Sequence, residues 1–170
     1  MKKILPFILA AVCAALVFSS CETLDPNKDF DGTIYGLWVA ETLEVEVETT
    51  INGNTTTSKS TTDFSKDYCR LNLDTSTIAT LWYNLDLDFE TFSFDESAMR
   101  ITFKESLNAG DDGKAIVLLG IYDVQLTGDK MILSQPKASV GGTALGASER
   151  AVYTFHRAPK TEKPRDTESN

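Results

Sequence analysis

Histidine, paired cysteines and basic charge are all scarce in this chain, and each shortage removes a class of chemistry. His156 is the only histidine, so a Ser-His-Asp arrangement would have to use it. No GxSxG-type turn offers it a serine, and it falls on the outward parity of its strand. Cys13, Cys21 and Cys69 form no CxxC and no Cys/His cluster, so no zinc site is expected. Gly141 to Ser148 has Walker-like glycine spacing, yet Ala147 stands where the phosphate-binding lysine belongs. No strand-to-helix context surrounds it either, which leaves a loop. Asp86, Asp88, Glu90 and Asp95 offer acids of the kind a glycosidase pairs across a cleft; alternating along a strand, they read as a solvated face. The expectation is no catalytic residue, no metal and no cofactor, hence no enzyme.

Long apolar runs are missing too, except at the start. Lys2 and Lys3 precede the apolar stretch Ile4 to Phe18, broken only by Pro6 and followed by Ser19-Ser20. That is the layout of a secretory signal peptide over residues 1–20, and it is too short for the ~20 residues of a membrane-spanning helix. Val17-Phe18-Ser19-Ser20-Cys21 resembles a bacterial lipobox, with Phe18 as its one unusual residue. The resemblance implies acylation of Cys21 and cleavage just before it. Two or more acyl chains, at ~0.8 kcal/mol per buried methylene, would hold the protein stably on a membrane. With Cys13 removed and Cys21 lipidated, Cys69 stands alone and reads as a small buried hydrophobe.

Removing Lys2 and Lys3 from the 16 basic residues leaves 14 against 25 acidic ones, a formal net charge of −11. Nucleic acid and anionic membrane surfaces are poor partners for such a chain, because both require basic patches. Residues 21–32 read as a lipidated acidic tether. Its carboxylates resemble the surface-export signal of Bacteroidetes lipoproteins, which points to the outer membrane and outward display. Asn27 to Gly32 imitates the start of an EF-hand loop, but Trp38 occupies the twelfth position, where a bidentate Glu is needed. Residues 158–170 have no apolar face and read as a disordered polar tail.

Between residues 33 and 157 the dominant period is two. Leu43, Val45, Val47, Thr49 and Ile51 alternate with Glu44, Glu46, Glu48 and Thr50, a half-buried strand. Asn52-Gly53 then predicts a hairpin, since both turn positions need positive φ. Leu81 to Phe89 alternates next, with a phase change expected at Glu90-Thr91. Met99 to Phe103 and Ala151 to Phe155 alternate as well, whereas Ala115 to Tyr122 is apolar on both sides and reads as a well-covered strand. Eight to ten short sequential strands without a long amphipathic helix predict an all-β antiparallel meander. Such a meander usually closes into a barrel to remove its edges, with a two-sheet sandwich as the alternative.

Gly36-Leu37-Trp38 resembles the GxW signature of lipocalins and their calycin relatives. Arg157, after Tyr153-Thr154-Phe155-His156, resembles the arginine that in that family packs over the tryptophan. The domain as a whole is similar to lipocalin-like lipoproteins common in Bacteroidetes. The resemblance implies a closed barrel with Gly36, Trp38 and Arg157 as structural closure residues. The alternation directs Tyr83, Leu85, Phe89, Phe103, Tyr122, Tyr153 and Phe155 to the interior, where they line a cavity or simply fill it. The functional expectation is an outer-membrane-anchored lipoprotein binding a small apolar or amphipathic ligand. The alternative is a non-catalytic envelope module presenting loops to a protein or glycan partner. Replacing the anchor residue tests the address: Cys21→Ser is expected to abolish membrane retention on fractionation, and a variant still wholly in the membrane fraction would refute the lipobox.

Overall fold

The computed structural model describes residues 32–111, 114–136 and 147–163. The signal segment, Cys21, most of the tether, the glycine-rich loop up to Gly146 and the end of the tail lie outside the described residues. Nine strands follow one another: β1 (Gly36–Ile51), β2 (Asn54–Asp63), β3 (Cys69–Leu73), β4 (Ile78–Tyr83), β5 (Asp86–Asp95), β6 (Arg100–Asp111), β7 (Lys114–Thr127), β8 (Lys130–Ser134) and β9 (Ala147–Arg157). Asn52 and Gly53 take the positive φ values of 51° and 80° that their hairpin demands.

All pairings are antiparallel between sequential neighbours, with two departures at β1. One edge of β1 bonds to β9 from Trp38↔Arg157 to Thr49↔Ala147, which returns the meander to its start. The opposite edge is divided: Gly36 to Val39 bonds to β3, and Thr42 to Ile51 bonds to β2. The hydrogen bonds therefore run in a closed ring through β1 and β3 to β9, with β2 folded back as a polar arm. Closure leaves the ring strands without a free lateral edge along most of their length, the device expected of a long meander.

Inside the ring the alternation is carried by Leu71, Leu81, Ile101, Leu118, Leu133 and Phe155, all fully buried. A bulge between Ala40 and Thr42 shifts the phase of β1. Trp38 and Ala40 thus point inward before it, and Leu43, opposite Tyr153, after it. An extra residue in one strand has this effect because side chains alternate with a period of two.

The same period produces the one large error of parity in the sequence reading. Leu81 to Phe89 is not one strand. Tyr83 lies opposite Asp86 across a turn at Asn84-Leu85, with Asn84 at φ 51°. Residues directly opposite share a face, so the inward parity passes from Tyr83 to Asp86, Asp88, Glu90 and Phe92. Leu85 and Phe89 accordingly face solvent at 95% and 67% exposure. The phase change lies at this turn, and β5 runs uninterrupted through Glu90-Thr91. On β7, too, Val117, Leu119 and Ile121 are exposed, so the strand expected to be covered on both faces is covered on one.

A second, smaller cluster lies outside the ring, where Leu37, Trp82 and Ala158 pack with Val39 and Tyr68. The chain after β9 is held there by the Ala158 N–H bonded to the Leu37 carbonyl at 3.0 Å. Glu162 then accepts from Arg70, whose guanidinium lies 4.6 Å from the Tyr68 ring centre. The tail expected to be free from residue 158 is therefore packed at its start. Removing the largest buried side chain should be costly: Trp38→Ala is expected to destabilise the fold by ~3–5 kcal/mol, and an unchanged urea midpoint would count against its role in closure.

Candidate functional site

The closure residues build one end of the ring. Trp38 and Arg157 are register partners, and the guanidinium carbon sits 4.1 Å from the indole ring centre. Such a cation–π contact contributes ~0.5–2 kcal/mol. The polar atoms of both side chains are directed at the segment before β1. Trp38 Nε1–H donates to the Ile34 carbonyl at 2.7 Å, and Arg157 donates to the carbonyls of Tyr35 and Thr33. These bonds lay residues 32–35 across the ring end as a strap, with Ile34 buried beneath it. Gly36 is required twice over: its φ is 116°, and a Cβ there would stand 2.5 Å from Arg157 Nη1. The structure thus brings Gly36, Trp38 and Arg157 together at one end of the ring.

The interior residues are also brought together, but on one another. Phe92, Phe103, Tyr122, Tyr153 and Phe155 form a chain of ring contacts with successive centroids 6.1–6.3 Å apart. Tyr83, Phe103, Tyr122 and Phe155 have 0% of their surface open to water. The two inner hydroxyls are tied to β7: Tyr153 Oη–H donates to the Val117 carbonyl at 2.8 Å, and Tyr122 Oη accepts from the Leu119 N–H at 3.3 Å. Burial pushes both phenols above their ordinary pKa. Five of the seven side chains expected to line a cavity therefore fill the interior. Leu85 and Phe89 lie outside it.

The other end is covered by a residue that sequence reasoning missed. Phe64 follows β2 and is fully buried, edge-on to Tyr83 at 6.1 Å. Its N–H donates to the carbonyl of the bulge residue Glu41 at 2.9 Å. From the far wall of the ring, Lys114 Nζ donates to Asp67 Oδ2 at 3.0 Å and to the Asp63 carbonyl at 3.1 Å. The turn after β2 is thus tied to both β1 and β7 across the mouth. Asp63-Phe64-Ser65-Lys66 has no alternation, so no local signal marks Phe64 as a core residue.

The groups with reactive potential are engaged otherwise. Cys69 is buried, and burial pushes its thiol up to about 12; the thiolate needed for nucleophilic attack is then rare. Asp86 and Asp88 act as side-chain rungs between β5 and β6, accepting from the N–H of Gly110 at 2.9 Å and of Asn108 at 2.8 Å. Asp95 accepts from the Ser97 hydroxyl at 2.6 Å and from the Ala98 N–H, which hold its carboxyl below the usual range. His156 faces outward beside Glu41 at 3.3 Å. Among the described residues, no group of three or more His, Cys, Asp or Glu is placed to hold a metal ion.

The opposite placement of Phe89 and Phe103 can be measured. Phe89→Ser should change stability by less than about 0.5 kcal/mol, whereas Phe103→Ala should cost ~3–5 kcal/mol. Equal losses in urea unfolding would contradict the assignment of outer and inner faces.

No protein-family model, no curated protein and no solved structure matches this chain.

Proposed function

We propose that the chain is a lipid-anchored, non-catalytic protein of the bacterial outer membrane, with a lipocalin-like architecture, that presents its outer wall to a protein partner. The observation that carries this reading is where the apolar side chains are spent. The ring interior is occupied by its own aromatics, while Ile78, Leu85, Leu87, Phe89, Val117, Leu119 and Ile121 are exposed on β4, β5, β7 and the β4–β5 turn. Register places Leu87 opposite Trp82, and Phe89 opposite Thr80, diagonal to Ile78. An exposed apolar group of this kind bordered by carboxylates is what a protein interface requires. A ligand inside the ring, by contrast, would have to displace packed phenyl and phenol rings and then leave past Phe64 or the strap.

The lipobox at Cys21 supports the anchor, and the acidic balance supports a partner other than nucleic acid. A photo-crosslinking residue at position 89, compared with one at Thr57 on the polar β2 arm, tests the wall in intact envelopes. A single adduct of defined protein mass from position 89 alone is the expected result. No adduct from position 89, together with a stoichiometric small-molecule adduct in native mass spectrometry, would return the case to ligand binding.

A further inference from the structure

At the strap end the ring is not filled to the same extent as in its middle. A cleft of about 150 Å³ opens between residues 32–35, the β5–β6 hairpin and the end of β7. Its walls are Ile34, Tyr35, Phe94, Met99 and Leu126, and its one charged lining residue is Glu96. Gly32 and Thr33 complete the rim.

Both sides of this cleft are held in place by interactions already on the page. The strap side hangs from Trp38 and Arg157. On the hairpin side, the Asp95 carboxylate accepts from Ser97 and Ala98, and Met99, at φ 48°, donates its N–H to the Glu96 carbonyl at 3.3 Å. The Met99 carbonyl accepts from the Val124 N–H at 2.8 Å, which binds the turn to β7. Glu96 and Met99 are therefore presented by a fixed turn, as a preorganised site requires.

Size and charge then define the occupant. A partly open cleft of about 150 Å³ has room for one benzene-sized ring, well below the ~300–1,000 Å³ of pockets for drug-sized molecules. The nearby cations are already engaged: Arg157 on Trp38 and the strap carbonyls, and Arg100 on Asp123 at 2.8 Å. A carboxylate at the rim of aromatic and thioether walls favours a positive head group on an apolar body, because the carboxylate attracts the charge while Tyr35, Phe94 and Met99 supply the apolar contact.

We propose that this cleft is a binding site for a small organic cation, a single-ring or short branched-alkyl amine, with Glu96 selecting for the ammonium group. The site lies at the strap end of the ring, apart from the outer wall assigned above to a protein partner. Neither assignment depends on the other.

The chain has only three methionines, Met1, Met99 and Met131, so after cleavage before Cys21 methyl-labelled methionine gives two NMR signals, from Met99 and Met131. Met99 reports the cleft, and the fully buried Met131 reports that a variant is folded. Titration with 2-phenylethylamine should move the Met99 signal saturably, with a Kd on the order of 1 mM for so small a ligand. Phenylacetate, of the same size and opposite charge, should bind at least about tenfold more weakly. In Glu96→Gln, with Met131 unshifted, the amine should lose about tenfold and the two probes should become equivalent. No saturable Met99 shift with the amine, equal binding of both probes to the unmodified protein, or full discrimination surviving in Glu96→Gln would each overturn the proposal.

Discussion

The structure depends above all on how one guanidinium is accommodated. Arg157 ends the last strand, yet its charge is not left to water: one face lies on the Trp38 indole, and its N–H groups reach the Tyr35 and Thr33 carbonyls. A charge moved toward a low-dielectric interior is tolerable only when its donors are satisfied, and the strap supplies acceptors that have no ladder of their own. The dependence is mutual. Arg157 and the Trp38 N–H hold residues 32–35 at the ring end beside the buried Ile34 side chain and the contact of the Tyr35 and Phe92 rings. Gly36 is part of the same constraint, because any side chain there would collide with Arg157 Nη1.

With one end sealed in this way, the rest of the interior follows from packing. Phe64 covers the opposite mouth, and the aromatic chain from Phe92 to Phe155 takes up the space between. A ring of this size can be filled in this way, since an eight-stranded interior is just wide enough to be occupied by side chains. Apolar surface also lies in two other places. One is the outer wall of β4, β5 and β7, where apolar residues stand in solvent. The other is the cleft beside the strap, where the ring end is not fully covered.

How much of this was legible depended on whether the signal was local. The Asn52-Gly53 turn and the sequential strands could be read because each rests on a short pattern: a positive-φ dipeptide and a period of two. The β4–β5 region could not be read in the same way. Asn84-Leu85 contains no glycine or proline, and the alternation of Leu81 to Phe89 continues across it in apparent phase. Only the register Tyr83↔Asp86 shows that the strand has ended. Once it has, Leu85 and Phe89 change sides and the carboxylates of Asp86 and Asp88 become rungs to β6. Phe64 escaped notice for a related reason, being an isolated aromatic whose burial is created by Glu41, Tyr83 and Lys114, all distant in sequence.

The amino-acid sequence by itself determined the all-β class and the antiparallel order of strands. These follow from backbone sterics and from side-chain alternation, which act over a few residues. The contents of the ring were decided by the tertiary structure alone. Whether seven inward-looking residues line a cavity or fill it depends on volumes summed across opposing walls, on a bulge at Glu41 and on one unmarked turn. A shift of a single residue in a strand exchanges its inside for its outside, and no local pattern records where that shift occurs.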